Sequence, residues 1–180
     1  MRRAGLLLLV LSAGPALGYK PASPVRHDVW SPNGAFVLDV DPAAKRLTVY
    51  AAGDRQTPLW SFDRRVWQEQ HFLSDDGRTV GLVTWRFVQV DSLSDGVCVE
   101  FWNPTGLVRQ YTFAELCPNP SEHYLEWGPE GDFWRKWYSR VDGDGTHLRV
   151  RTTDEYEYTF ALDDGRIVGK SRIWLPGWAW

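Results

Sequence analysis

Two cysteines, four histidines and several adjacent carboxylates are the residues of this chain whose types could do chemistry. His27, His71, His123 and His147 are scattered, with no His-x-x-x-His pair to hold a metal. Neither a Gly-x-Ser-x-Gly nucleophile turn nor a phosphate-cradling glycine loop occurs. Asp142-Gly143-Asp144-Gly145 opens like a calcium loop, but Thr146 stands at the third ligand position and Thr153 where a bidentate glutamate belongs. A hairpin turn is the better reading. A glycosidase needs two carboxyls facing each other across a cleft, whereas Asp75-Asp76 and Asp163-Asp164 are neighbours in turn sequences and read as solvated turn residues. No catalytic residue, metal site or cofactor is assigned.

Cys98 and Cys117 have two readings. An even count in an exported chain favours a disulfide, and a hairpin over 107–112 brings their segments back together. Alternatively they are two buried thiols filling the core as small apolar residues. Neither has a local histidine or a helix start to lower its pKa, so a catalytic thiol is not indicated.

Aromatic clusters are the best binding candidates in a chain with eleven tryptophans. Strand alternation through Phe133-Trp134-Arg135-Lys136-Trp137-Tyr138 puts Trp134, Lys136 and Tyr138 on one face and Phe133, Arg135 and Trp137 on the other. One face is core; the other is suited to stacking on sugars or on a protein partner. The end of the chain, with Trp178 and Trp180, either packs back on the fold or serves as a sticky tail. Candidate binding residues are therefore Trp134, Trp137, Tyr138, Trp178 and Trp180.

Residues 1–18 read as an export signal. Arg2 and Arg3 supply charge, Leu6 to Leu11 a short apolar stretch, and Ala16-Leu17-Gly18 small residues at the cleavage positions, so the mature chain is expected to start at Tyr19 in a secreted or periplasmic location. No later segment approaches the roughly 20 apolar residues of a membrane helix. Residues 19–180 make one domain, and a net charge of −3 is a poor footprint for nucleic acid.

The elements that must position these residues announce themselves by a turn. Trp30-Ser31-Pro32-Asn33-Gly34, Leu73-Ser74-Asp75-Asp76-Gly77 and Trp127-Gly128-Pro129-Glu130-Gly131 share one pattern, each followed by an apolar run. Spacing of roughly 40–50 residues fits a four-stranded β meander, giving units near 29–70, 71–120 and 121–174. In the first, Phe36, Leu38 and Val40 alternate onto one face. In the second, 79–85 and 97–102 are apolar on both faces, which requires a sheet covered on both sides. Thr112-Phe113-Ala114-Glu115 is a capping box for one helical turn, with Tyr111 and Leu116 as its staple. In the third unit, Phe133 to Val141 reads as one strand, Leu148 and Val150 point inward from arginines, and Tyr156, Tyr158 and Phe160 share a face. That one-sided pattern marks a sheet at an end of the assembly.

Ser31-Pro32-Asn33-Gly34 and Ser74-Asp75-Asp76-Gly77, each before an apolar strand, resemble the units of Tol-type and WD-repeat propellers. The Asp-Asp-Gly strand leading to Tyr111-Thr112-Phe113-Ala114-Glu115-Leu116 is similar to uncharacterised exported bacterial proteins. The resemblance implies three propeller-like antiparallel β units. Standard propellers have at least four blades, so an open stack, a sandwich or a barrel-like domain is expected. The function expected is a non-catalytic binding or structural module with a protein or glycan partner; the alternatives are a small envelope glycan hydrolase and a subunit completing a larger β assembly.

Overall fold

The computed structural model describes residues 24–66, 69–84, 87–89, 96–118, 125–127, 133–136 and 138–173. β1 (His27–Trp30), β2 (Phe36–Asp41), β3 (Arg46–Ala51) and β4 (Asp54–Asp63) pair antiparallel in chain order as sheet A. Sheet B follows with β5 (Gln70–Leu73) and β6 (Val80–Val83). The chain leaves it for β7 (Phe87–Gln89), then returns with β8 (Val97–Asn103) and β9 (Gly106–Thr112). α1 (Phe113–Leu116) caps its own start as expected, the Thr112 N–H donating to Glu115 Oε2 at 2.7 Å, with Tyr111 and Leu116 in one core. β10 (Leu125–Trp127) and β11 (Phe133–Lys136) join β7 in a three-stranded sheet C. β12 (Tyr138–Gly143), β13 (His147–Thr152), β14 (Tyr156–Ala161) and β15 (Ile167–Arg172) form sheet D, again in chain order. The chain is thus mainly β, with three propeller-like four-stranded meanders.

Sheet B lies between A and D because both its faces are apolar. Leu73, Val80 and Leu82 pack with Leu38, Val40, Leu47 and Val49 of sheet A. Val83, Val99 and Phe101 pack with Leu148, Val150, Tyr158 and Phe160 of sheet D. Each such side chain removed from water contributes about 1.5–3 kcal/mol. The outward faces of A and D carry the alternate residues. On sheet D these include Arg140, Arg149 and Arg151, which pair with Asp142, Asp144 and Glu157.

The repeated turn is the same device twice over. Ser31 Oγ donates to Asn33 Oδ1 (2.8 Å) and accepts from the Phe36 N–H (3.0 Å); Ser74 Oγ donates to Asp76 Oδ1 (2.7 Å) and accepts from the Thr79 N–H (2.9 Å). Gly34 and Gly77 supply the left-handed residue, at φ 71° and 69°. Each turn joins the first two strands of its sheet, so a strand precedes the motif that was expected to open the unit. In sheet D the corresponding turn is Asp144-Gly145-Thr146, between β12 and β13, while residues 128–131 of the third sequence copy lie outside the described residues. The expected third unit therefore divides. Phe133–Lys136 pairs with β10 and β7, and sheet D begins only at Tyr138, so the single strand expected over 133–141 is two strands in different sheets.

These turns also lock the sheets together. The Asp75 carboxylate accepts from the Asn33 N–H (2.9 Å), Asn33 Nδ2 donates to the Asp75 carbonyl (2.7 Å), and the Asp75 N–H donates to the Gly145 carbonyl (2.8 Å). Asp75 is thus a joint among three sheets and not the solvated turn acid its sequence suggests. A Cβ on Gly77 would collide with the Phe36 ring, and one on Gly165 would meet Phe101 at 2.5 Å.

Two expectations follow. Gly77→Ala combines an unfavourable φ with that collision, whereas Gly34→Ala has the same φ and open space around it. Denaturant unfolding should show Gly34→Ala losing about 1–2 kcal/mol and Gly77→Ala losing clearly more; equal losses would mean that the Phe36 ring moves aside freely. Asp75→Ala removes a charged acceptor and should cost about 1.5–3 kcal/mol, with Asp75→Asn milder because it keeps Oδ1. An unchanged midpoint in Asp75→Ala would contradict the joint.

Candidate functional site

Strand register lays out the outer face of sheet A in three cross-strand rungs. Trp30, Val37, Tyr50 and Pro58 are successive partners across β1 to β4 and form an apolar rung. Asp28, Asp39, Thr48 and Ser61 form the next, and Asp41, Arg46 and Asp63 the third. Alternation imposes this, since the intervening residues Leu38, Val40, Leu47 and Val49 are committed to the core. Trp30 is 53% exposed while Val37 beside it is fully buried.

A groove of about 250 Å³ runs over the polar rungs, bounded by Tyr50 and Pro58 on one side and Arg26 and Ala44 on others. Its charges answer one another. Arg26 donates through Nε and Nη2 to the two oxygens of Asp39 (2.8 and 2.5 Å) and lies 3.8 Å from Asp41. Arg46 pairs with Asp63 at 3.1 Å. Donating hydrogen bonds to the Asp39 carboxylate raises the Arg26 pKa further, keeping the guanidinium charged. Thr48 and Ser61 add hydroxyls that both donate and accept.

A second polar cluster is buried at the A–B junction. Arg64 binds Glu69 (2.5 Å) and Glu100 (2.7 Å), and Glu100 Oε2 also accepts from Trp102 Nε1 (2.8 Å). His71 on β5 meets His27 edge to face at 5.3 Å, and its Nε2 has no hydrogen-bond partner; Glu69, 4.0 Å away, is engaged by Arg64. Burial first, then His27 and Arg64, push the His71 pKa down to about 3. The imidazole is therefore neutral at ordinary pH. Among the described residues no group of three or more side chains could hold a metal ion.

The residues singled out from sequence lie elsewhere. Tyr138 is 3% exposed in the B–D core, its hydroxyl accepting from Gln70 Nε2 at 2.8 Å, so it is a packing residue and not a surface contact. Trp134 belongs to the backbone of β11; Trp137, Trp178 and Trp180 lie outside the described residues. Cys98 and Cys117 are free and buried in the structure, which fits the second of their two readings. Strand pairing turns Cys98 Sγ to the Tyr111 carbonyl (3.3 Å), and the helix end turns Cys117 Sγ to Thr153 Oγ1 (3.7 Å). Burial raises both pKa values, that of Cys117 to about 12, which leaves no reactive thiolate. Asp144 is a turn residue as expected. Although desolvation opposes it, hydrogen bonds from Thr146, His147 and Arg149 hold its carboxyl well below the usual range.

No protein-family model matches the chain, and no curated protein matches it. Among solved structures, BamB from Moraxella catarrhalis aligns over 81% of this chain and 35% of its own, at TM-score 0.43 and 11% identity. The β-propeller domain of Myceliophteria thermophila Cps50 (Swd1) aligns over 81% and 42%, at 0.40 and 13%. A eukaryotic initiation factor aligns over 89% and 35%, at 0.46 and 13%. The chain thus spans less than half the length of each. Among the described residues no helix is long and apolar enough to cross a membrane.

The buried imidazole gives a pH prediction. Its folded pKa of about 3 lies below the ordinary 6.5, so the unfolded chain takes up the proton first as pH falls. The stability His71 allows is complete above pH 6.5 and declines between 6.5 and 3, at up to about 1.4 kcal/mol per pH unit. His71→Leu should flatten unfolding free energy across that window relative to wild type; parallel profiles would show that His71 does not titrate there.

Proposed function

We propose that this chain is an exported, non-catalytic binding or structural module of the bacterial cell envelope or extracellular space, contacting its partner through the outer face of sheet A. The observation that supports this reading is the groove's internal charge pairing. A glycan hydrolase needs one carboxyl free to give a proton and a second facing it across the substrate. In the groove both Asp39 oxygens are occupied by Arg26, and Asp41, 3.8 Å from the same guanidinium, accepts from the Ala44 N–H. Such a surface orients a ligand by hydrogen bonds and ring contacts without exchanging protons with it. The leader at residues 1–18 supports export, and Trp134, Trp137, Trp178 and Trp180 are proposed as further partner contacts.

Affinity capture of envelope components on the immobilised full chain tests the proposal. Saturable retention is expected, with captured material leaving unchanged in mass. Trp30→Ala removes a half-exposed ring and no core ring, so it should weaken retention about tenfold or more with the thermal midpoint within a few degrees. A captured glycan that leaves shortened, with the shortening abolished by Asp41→Asn, would overturn the reading.

A further inference from the structure

We infer that the groove on sheet A is a binding site for neutral saccharide, an inference that rests on the binding-module reading above and names its ligand class. Charge argues first. Arg26 and Arg46 are both engaged, so an anionic ligand would face Asp39 and Asp41 with no uncommitted guanidinium in the groove to receive it. A cationic ligand would have to displace Arg26 from Asp39 or crowd the same guanidinium, 3.8 Å away, to reach Asp41. A neutral polyol faces neither cost, because a hydroxyl accepts from a guanidinium and donates to a carboxylate without breaking the pair.

The layout of the rungs argues second. A sugar ring is amphipathic, with C–H faces and a rim of hydroxyls, and it needs an apolar surface beside a row of donors and acceptors. Here Tyr50 and Pro58 are neighbours on one rung, Thr48 and Ser61 neighbours on the next, and Asp41 and Arg46 a pair on the third. Rungs two residues apart lie about 7 Å from one another, comparable to the width of one pyranose ring. A ring resting on Tyr50 and Pro58 would extend its hydroxyls over Thr48 and Ser61, and a second would reach Arg46 and Asp41. The volume, about 250 Å³, lies just below the usual range for ligand pockets of about 300–1,000 Å³. It fits a terminal disaccharide unit and not an enclosed polymer.

Saturation-transfer NMR on the full chain with maltose, cellobiose and N,N′-diacetylchitobiose tests the assignment, with a heparin-derived acidic disaccharide and a lysine-rich peptide as comparators. At least one neutral disaccharide should bind saturably and the two charged probes clearly more weakly. Tyr50→Ala should weaken that binding about tenfold or more. Thr48→Val, which keeps shape and loses the hydroxyl, should weaken it several-fold, with thermal unfolding as the control on folding. Ser61→Ala, at an exposed position, gives a second hydroxyl deletion that leaves the core untouched. Absence of neutral-sugar binding, preference for a charged probe, or binding unmoved in all three variants would overturn the inference. If envelope capture still succeeds, only the ligand class falls. Cleavage of a bound disaccharide would instead overturn the non-catalytic reading itself.

Discussion

Sheet B cannot stand in water on either side, and this one constraint arranges the rest of the chain. Its strands bury Val80 and Leu82 against sheet A, and Val99 and Phe101 against sheet D. A sheet apolar on both faces has to be covered twice. Once A and D are recruited as covers, their other faces are left outside, and the alternation of a pleated strand assigns the charged residues to them. The candidate groove is thus a by-product of the core. Leu38, Val40, Leu47 and Val49 face inward, and that fixes Asp39, Asp41, Arg46 and Thr48 outward.

Apolar burial is non-directional, so it says that A and D cover B without saying at what height. Directional contacts settle the height. The Asp75 turn holds Asn33 on one side and Gly145 on the other, and Trp60 Nε1 donates to the Gly77 carbonyl at 2.8 Å. Toward sheet D, the Tyr111 hydroxyl donates to the Gly165 carbonyl at 2.9 Å. Arg64, half inside the A–B junction, binds Glu69 and Glu100 from different segments. A buried triad of this kind adds little net stability but is costly to break, which makes it a device of position more than of energy.

What could be read from the sequence was local. The Ser-x-Asn/Asp-Gly turn, the one-sided strands at 147–161, the two-sided unit over 79–102 and the Thr112–Glu115 capping box each depend on residues a few positions apart, and each recurs in the structure. The misreadings concern the partners of segments. β1 and β5 are only four residues each, His-Asp-Val-Trp and Gln-His-Phe-Leu, and they are strands because each pairs antiparallel with the next strand of its own sheet, β1 with β2 and β5 with β6. β7 leaves sheet B to pair with β11, a contact between residues 87–89 and 134–136 that no local pattern announces. The groove was hidden for the same reason. Arg26, Asp39, Thr48 and Ser61 come from four separate segments, and only the register of sheet A makes them neighbours. Aromatic density drew attention to 133–138, yet the exposed ring on the candidate face is Trp30, inside the turn motif itself.

The two outer faces differ in the chemistry they present. On sheet D, Arg140, Arg149 and Arg151 are laced to Asp142, Asp144 and Glu157, and the side chains between them include Thr159 and Ser171; the exposed apolar side chains on its strands, Ile167 and Val168, sit at the start of the edge strand β15. Covering that face with another blade would strip water from a lattice of ion pairs, and desolvation of such pairs commonly exceeds what their attraction returns. A polar outer face of this kind is also what the terminal repeat of an array presents to water. Sheet A is not closed in the same manner. Its apolar rung of Trp30, Val37, Tyr50 and Pro58 lies directly beside a charge-balanced polar groove. A further blade would meet those paired charges at the same cost as on sheet D, whereas a small amphipathic ligand needs both halves of the face.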